Sequence, residues 1–503
     1  MKRSIYIVSP KADKANYAGL EVMSGRGYKP GILFGDVSIV TVAAMADEFL
    51  DVAVCDQTVS DVDYDTDADY VGITGKITQY RHMVEIATKF RERGKKIVIG
   101  GPLASLSPGW VRPYCDVLIK GEIEEISDQI FSDLASGQFK DEYLGDKPDL
   151  TTSPIPRWDL YPNERALGAS IQTSRGCPYE CEFCDAIVYN GRKQRFKNPS
   201  QVLAELDVVY RHGYRFVFLA DDNVTVNRRR IKELLAAITE WNDKQQAGRV
   251  KFASQASIDV AQDDELLQMC NAAGLTMLFI GLETPNEASL VETKKRQNLK
   301  RDIVGDIAHL NRFGIMVNGG MIVGFDSDGP DIFGRQLEFA TATSIPLFSC
   351  GALMAPDKTP LQARLSRQGR IKNTGLGASG DLFSTNIVHP SMNEAQLSDG
   401  LRWLVNSLYS PQNFGQRMLS FIERLGEFGG PDHYESVSFL NQRRVIVDSI
   451  KLVHRIAQLG PEHETMMKRV IASAQRKPMA LAFAYDALVS YQQVQFMLEQ
   501  RVN

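Results

Sequence analysis

The chain has 503 residues, 44% of them hydrophobic and 24% charged, with a formal net charge of -5. That length exceeds one ordinary core and predicts two or three domains. The charge argues against broad nucleic-acid binding, and no apolar run approaches the roughly 20 residues of a membrane span. The opening Ile5-Tyr6-Ile7-Val8 run is followed at once by Pro10-Lys11-Ala12-Asp13-Lys14, so it reads as a buried strand and not as a secretion signal. The expected location is the cytoplasm, with no transmembrane segment. Seven cysteines, an odd number, do not suggest a disulfide framework. Cys55, Cys115, Cys270 and Cys350 stand singly in apolar contexts and read as core thiols.

In chain order, residues 1–140 alternate short apolar strands with helical stretches. Strands are expected at Ile5–Val8, Val52–Cys55, Tyr70–Thr74, Lys96–Ile99 and Val117–Lys120, with helices over Ser38–Leu50 and Gln79–Arg93. This alternation implies an α/β domain with a doubly wound parallel sheet, in which ligands bind at the carboxyl ends of strands. Gly72, Gly75, Gly100, Gly101 and Gly121 stand at or near such ends, where glycine serves either close ligand approach or ordinary turn chemistry. Residues 141–168 are rich in proline (Pro148, Pro154, Pro156, Pro162) and read as a linker.

From 169 to 370 the alternation resumes. Strands are expected at Ala169–Thr173, Phe216–Ala220, Lys251–Gln255, Met277–Gly281, Met316–Val323 and Phe348–Met354, each followed by a helix or a loop. Six such units fit a full or partial (β/α) barrel, which places its chemistry at the strands' carboxyl ends. Residues 371–503 lack the alternation and read as a helical region, with helices over 393–409, 416–428, 442–458 and 480–499. Its aromatic residues Trp403, Tyr409, Phe414, Phe421 and Phe428 read mainly as core, and the region is expected to cap the barrel mouth.

Directly after the first barrel strand comes Thr173-Ser174-Arg175-Gly176-Cys177-Pro178-Tyr179-Glu180-Cys181-Glu182-Phe183-Cys184-Asp185, a C-x3-C-x2-C spacing. Thiolates converging on one loop suit an iron–sulfur cluster, and three ligands for four irons leave one iron open. A structural zinc site would ask for a second ligand pair, and His212 and Cys270 are remote in sequence.

This motif resembles that of the radical S-adenosylmethionine superfamily. The resemblance implies a 4Fe-4S cluster on Cys177, Cys181 and Cys184 that binds and reductively cleaves S-adenosylmethionine. It further implies cofactor contacts at the strand ends: Asp221, Asp222 and Asn223, then Gln255 and Ser257, then Glu283 for the ribose hydroxyls, then Gly324 near adenine. Each has a plainer alternative, with an aspartate capping the next helix, Glu283 pairing with a lysine, and the glycines packing. Ile155-Pro156-Arg157-Trp158-Asp159-Leu160 and the N-terminal domain resemble the cobalamin-binding branch, in the subgroup of hopanoid and bacteriochlorophyll methylases, over about 1–410. That implies cobalamin contacts at Gly72, Thr74, Gly100, Gly101, Gly121 and Glu122. The Asp-x-His-x-x-Gly motif that gives cobalt a histidine in many such modules is absent, and His82 sits in a predicted helix.

The resemblance implies cobalamin-dependent C-methylation of a small-molecule or lipid substrate, with electrons from a reductant such as flavodoxin or ferredoxin. The alternative is a cobalamin-free radical enzyme, for rearrangement, cyclisation, oxidation or another cleavage of S-adenosylmethionine, that keeps the first domain as scaffold. The missing histidine and the Gly25–Gly35 stretch motivate it.

Overall fold

The computed structural model describes residues 2–372, 381–426 and 444–500. Among them the first strands are β1 (Ser4–Ser9), β2 (Ile32–Phe34), β3 (Asp51–Asp56), β4 (Tyr70–Thr74), β5 (Lys96–Gly100), β6 (Val117–Lys120) and β7 (Glu142–Leu144). There follow β8 (Ala166–Ile171), β9 (Ser174–Arg175), β10 (Arg195–Phe196), β11 (Phe216–Leu219), β12 (Lys251–Ala256), β13 (Leu275–Glu283), β14 (Met316–Val323) and β15 (Leu347–Ala352).

The first sheet has the order β3-β1-β4-β5-β6-β7 and is parallel throughout. Its central strands are continuous apolar runs because helices cover both faces. One of these helices, Tyr80–Glu92, buries Met83, Ile86, Ala87 and Phe90 at the i, i+3, i+4, i+7 spacing of a single apolar stripe. The second sheet has the order β15-β14-β13-β12-β11-β8-β2, also parallel, and curls into a half-barrel.

Two strands cross the boundaries expected from sequence. β2, from within 1–140, adds to the half-barrel beside β8, and β7, from within the expected linker, completes the first sheet. The rest of that linker is a packed joint. Trp158 is fully buried, edge-on to Tyr161 and Tyr214 at 5.3 and 5.7 Å, and the Tyr161 hydroxyl donates to Asp56 at 2.6 Å.

The C-terminal region corrects a further expectation in part. Residues 385–397 lie against the carboxyl-end loops, where Thr385 donates to the Leu353 carbonyl at 2.5 Å and His389 pairs with that of Phe325 at 2.6 Å. From Tyr409 onward, however, the helices pack at the amino ends of the barrel strands, opposite the mouth. Arg417 donates to the carbonyl of Ile345 at 2.9 Å, just before β15. The Tyr409 hydroxyl pairs with the backbone of Phe348, and Lys251, the first residue of β12, lies over the Phe483 ring. Tyr409, Phe414 and Phe421 are core, whereas Trp403 is 49% exposed. Phe428 and the first two residues of the expected 442–458 helix lie outside the described residues, and a helix not expected from sequence runs over Pro461–Ala474. Among the described residues no helix is long and apolar enough to cross a membrane.

Candidate functional site

The cysteine loop is closed at its base by a short antiparallel ribbon, in which β9 sets Ser174 opposite Phe196 and Arg175 opposite Arg195 of β10. Gly176 turns with φ +97°, and a Cβ there would meet the Lys193 carbonyl oxygen at 2.5 Å, so this turn requires glycine. The Cys177 N–H donates to the Gly191 carbonyl at 3.1 Å, and the Cys184 N–H to that of Cys181 at 3.1 Å.

All three thiols are unpaired with other cysteines. Cys181 is buried, and Cys177 and Cys184 are half-buried. Burial pushes the Cys184 thiol up to about 12 and that of Cys177 in the same direction. A metal centre would offset that cost by holding both as thiolates. The Gln297 side chain donates to Cys181 Sγ at 3.6 Å, while its buried Oε1 has no partner. Among the described residues no three His, Cys, Asp or Glu side chains close around a single ion. Three thiols spread along one loop suit a cluster, whose ligands bind different irons, better than a lone zinc ion.

The neighbouring strand ends hold this loop. Asp221, fully buried after β11, accepts from the N–H groups of Thr173 and Ser174 at 2.7 and 3.0 Å and from both hydroxyls. Burial pushes its carboxyl up despite these bonds. Asp222 accepts from the Gly176 N–H at 2.6 Å and from the Asn190 amide at 3.0 Å. Neither aspartate caps the next helix; Asn227 does so, accepting from the Arg230 N–H. Asn223, buried, donates to Ser257 Oγ at 2.7 Å. Gln255 is half-buried on the concave side of β12. Glu283 stands at a register shift with φ +64° and accepts from Lys295 at 2.7 Å. Burial lowers the Lys295 ammonium, but the charge and hydrogen bond of Glu283 together with Cys181 and Cys184 outweigh it, and the net direction is upward.

These positions revise one expected S-adenosylmethionine contact. Every oxygen of Asp221 is engaged with the loop backbone and hydroxyls, so it shapes the loop. Gly324, in a turn at φ +92°, donates its N–H to Asp328, and a Cβ there would meet Leu397 at 3.1 Å. Asp222, Ser257, Gln255 and Glu283 remain at the carboxyl-end rim.

The carboxyl edge of the first sheet faces this rim. Ser107 Oγ donates to Asp357 at 2.6 Å, and Lys358 donates to the Ser105 carbonyl at 2.6 Å. Glu122, its side chain 2% exposed, accepts from Arg175 at 2.6 Å and from both terminal nitrogens of Arg195 at 2.8 and 2.7 Å. Burial pushes the Glu122 carboxyl up, but the two guanidiniums more than offset this and hold it below the usual range. Arg175 also reaches Glu124 at 2.6 Å.

Two expected cobalamin contacts are thereby revised. Glu122 is engaged in joining the two sheets. Gly72 is buried mid-strand, its Cβ direction facing Ile5 and Ile7. Thr74, Gly100, Gly101 and Gly121 do stand at the edge, where Gly101 (φ +90°) and Gly121 (φ +78°) turn too tightly for a side chain. The His82 ring is paired with Asp13 at 3.0 Å. Sequence reasoning offered a lysine partner for Glu283, which is Lys295, and missed the contacts of Gln297, Arg175 and Arg195. Arg175 stood next to the motif, but a contact made from the far domain carries no local signal.

Comparison with known proteins agrees with this geometry. The profile of the radical SAM superfamily matches residues 171–335, and that of a domain of unknown function (DUF4070) matches 359–497. An uncharacterized methyltransferase of Synechocystis sp. is 33% identical over 401 residues, 78% of this chain and 74% of that one. The hopanoid C-2 methylase of Rhodopseudomonas palustris is 33% identical over 310 residues, 60% of this chain and 58% of that one. Among solved structures, the cobalamin-dependent S-adenosylmethionine radical enzyme OxsB, with aqua-cobalamin and S-adenosylmethionine bound, superposes with a TM-score of 0.61 at 15% identity, covering 99% of this chain and 80% of its own. The methyltransferase TsrM from Kitasatospora setae gives 0.58 at 16% identity, over 95% of this chain and 100% of its own.

Proposed function

The chain belongs to the radical S-adenosylmethionine superfamily, in the cobalamin-binding branch of the hopanoid and bacteriochlorophyllide methylases, and on that premise we propose that it methylates an unactivated carbon of a small-molecule or lipid substrate. The observation that carries this reading is the opposition of two carboxyl edges, one bearing the cysteine loop and the other a glycine-lined rim.

Cys177, Cys181 and Cys184 would hold a 4Fe-4S cluster with one iron left open, and Gln297 would donate to a ligating sulfur. Asp222, Ser257, Gln255 and Glu283 would line the S-adenosylmethionine site. Thr74, Gly100, Gly101 and Gly121 would hold cobalamin, because an edge without side chains lets a broad macrocycle lie against backbone. When bound, these groups supply an electron, a 5′-deoxyadenosyl radical and a transferable methyl group.

The protein's own part is orientation and dryness. Asp221 and Asp222 fix the backbone on either side of the first cysteine. Phe325, Leu353, Ala355, Leu361, Leu365 and Ile387 form an apolar cluster against Phe183 of the cysteine loop, which keeps water from a radical site. Electrons would come from a flavodoxin- or ferredoxin-type reductant in the cytoplasm. The test is product analysis on anaerobically reconstituted protein loaded with cobalamin and given S-adenosylmethionine and a strong reductant. Both S-adenosylhomocysteine and 5′-deoxyadenosine are expected, and 5′-deoxyadenosine alone overturns methylation.

A further inference from the structure

Residues 293–298 follow the helix Glu287–Glu292 and tie the end of β13 to the cysteine loop. The Glu182 N–H, between two of the cysteines, donates to the Thr293 carbonyl at 3.0 Å. Lys295 meets Glu283 at 2.7 Å. The Asn298 amide donates to the carbonyls of Gly281 and Leu282 at 3.0 and 2.9 Å, and Asn298 itself is buried. Gln297 stands between these two anchors on a single helical turn, Arg296–Asn298, so its backbone has little freedom. From that turn its side-chain amide reaches Cys181 Sγ at 3.6 Å.

The two ends of that amide fare differently. Nε2 has the sulfur, whereas Oε1 is buried without a partner. A buried polar atom left unpaired costs stability. A methionine of the same length would fill the space without that cost, so what the glutamine adds here is its N–H. Cys177 and Cys184 draw on backbone groups instead: the Tyr179 N–H faces the first sulfur, and those of Ala186 and Ile187 face the other. The donor to Cys181 is a side chain, which substitution removes without touching the loop backbone. Cys181 is also buried where the other two are half-buried, and water screens a dipole least in such a place.

We propose that Gln297 is a positioning residue that makes the cluster easier to reduce. The reason is electrostatic. One electron accepted from the reductant adds negative charge, and the ligating sulfurs share it. An N–H dipole held on one of those sulfurs stabilises the added charge more than the resting state, because hydrogen bonds strengthen with the charge of the acceptor. Hydrogen bonds to the sulfurs are among the properties that set such potentials. Lys295, in the same segment, adds no net charge, because Glu283 meets it at 2.7 Å. This role rests on the reading of Cys177, Cys181 and Cys184 as cluster ligands, but not on methylation.

The test is a redox titration of anaerobically reconstituted protein without S-adenosylmethionine, followed by the electron paramagnetic resonance signal of the reduced cluster. It compares the wild type with Gln297→Met and Gln297→Leu, after iron content and Tm have been measured for each. At the wild-type midpoint, the ratio of reduced to oxidised cluster should be about tenfold lower in both variants, a downward shift of about 59 mV for one electron. The direction separates tuning from packing. A side chain that only filled space would, once cut back, admit water, which stabilises the more highly charged reduced state and moves the potential upward. An unchanged or raised potential in variants that keep their iron therefore overturns the inference. So does loss of iron from both variants, which would make Gln297 a scaffold for assembly; if only Gln297→Leu loses iron, Gln297→Met decides. A wild type that takes up no iron overturns the cluster reading itself, and this role with it.

Discussion

The two facing edges are built by opposite means. The barrel rim is held by side chains: Asp221 and Asp222 grip the backbone before Cys177, Glu283 meets Lys295, and Gln297 reaches a cysteine sulfur. The edge of the first sheet is shaped by their absence, with Gly100, Gly101 and Gly121 where other residues would project. A rigid, chemically specific loop suits a cluster that must sit at a fixed place, and a bare backbone edge suits a large planar ligand. Glu122 is the exception on the bare side, and it acts on the other edge by neutralising Arg175 and Arg195.

If the rim does the chemistry, replacing any of Cys177, Cys181 or Cys184 by Ala should have the largest effect. Iron content and 5′-deoxyadenosine formation should fall to background, while the first sheet keeps its ligand. Next in size is Glu122→Gln. Like charges directly opposite on paired strands repel, and removing one partner of a buried ion pair costs about 3–5 kcal/mol. A lowered Tm with faster loss of the cluster is expected, and an unchanged cluster lifetime would mean that the two edges are independent. Gly101→Val should do the reverse. At φ +90° with Thr74 Oγ1 2.4 Å from its Cβ, the new side chain must displace the edge, so corrinoid binding should weaken while iron content stays.

The smallest effect lies at Asp486, in the helix Pro478–Glu499. A carboxyl raised from 3.8 to about 6 in the folded state makes its ionised form costly. That cost is absent below the unfolded value and fully present above the folded one. As pH rises from about 4 to about 6, the Tm of the wild type should therefore fall relative to that of Asp486→Asn.

Much of this architecture could be read from sequence because its signals are local. Tyr70–Thr74 and Met316–Val323 are strands over those spans, each an apolar run bounded by turn or helix residues. The cysteine spacing and the strand that precedes it were likewise adjacent in sequence. β2 was not legible, since three residues in a glycine-rich stretch become a strand only by pairing with β8, well over a hundred residues on. The location of the C-terminal helices was hidden for a related reason. An apolar stripe such as Phe414, Met418 and Phe421 says that a face is buried, not at which end of a barrel. Glu122 read as a ligand contact because a glutamate after a strand-end glycine looks the same whether it meets a cofactor or two arginines from another domain.

The central claim is that one edge holds a cluster and the other a corrinoid. It is tested most directly by the absorption spectrum and metal content of protein produced with cobalamin and purified without oxygen. The account predicts one cobalt and four irons per chain, with corrinoid bands that survive in the three cysteine variants and are lost from Gly101→Val. Four irons without cobalt at any cobalamin loading would contradict it.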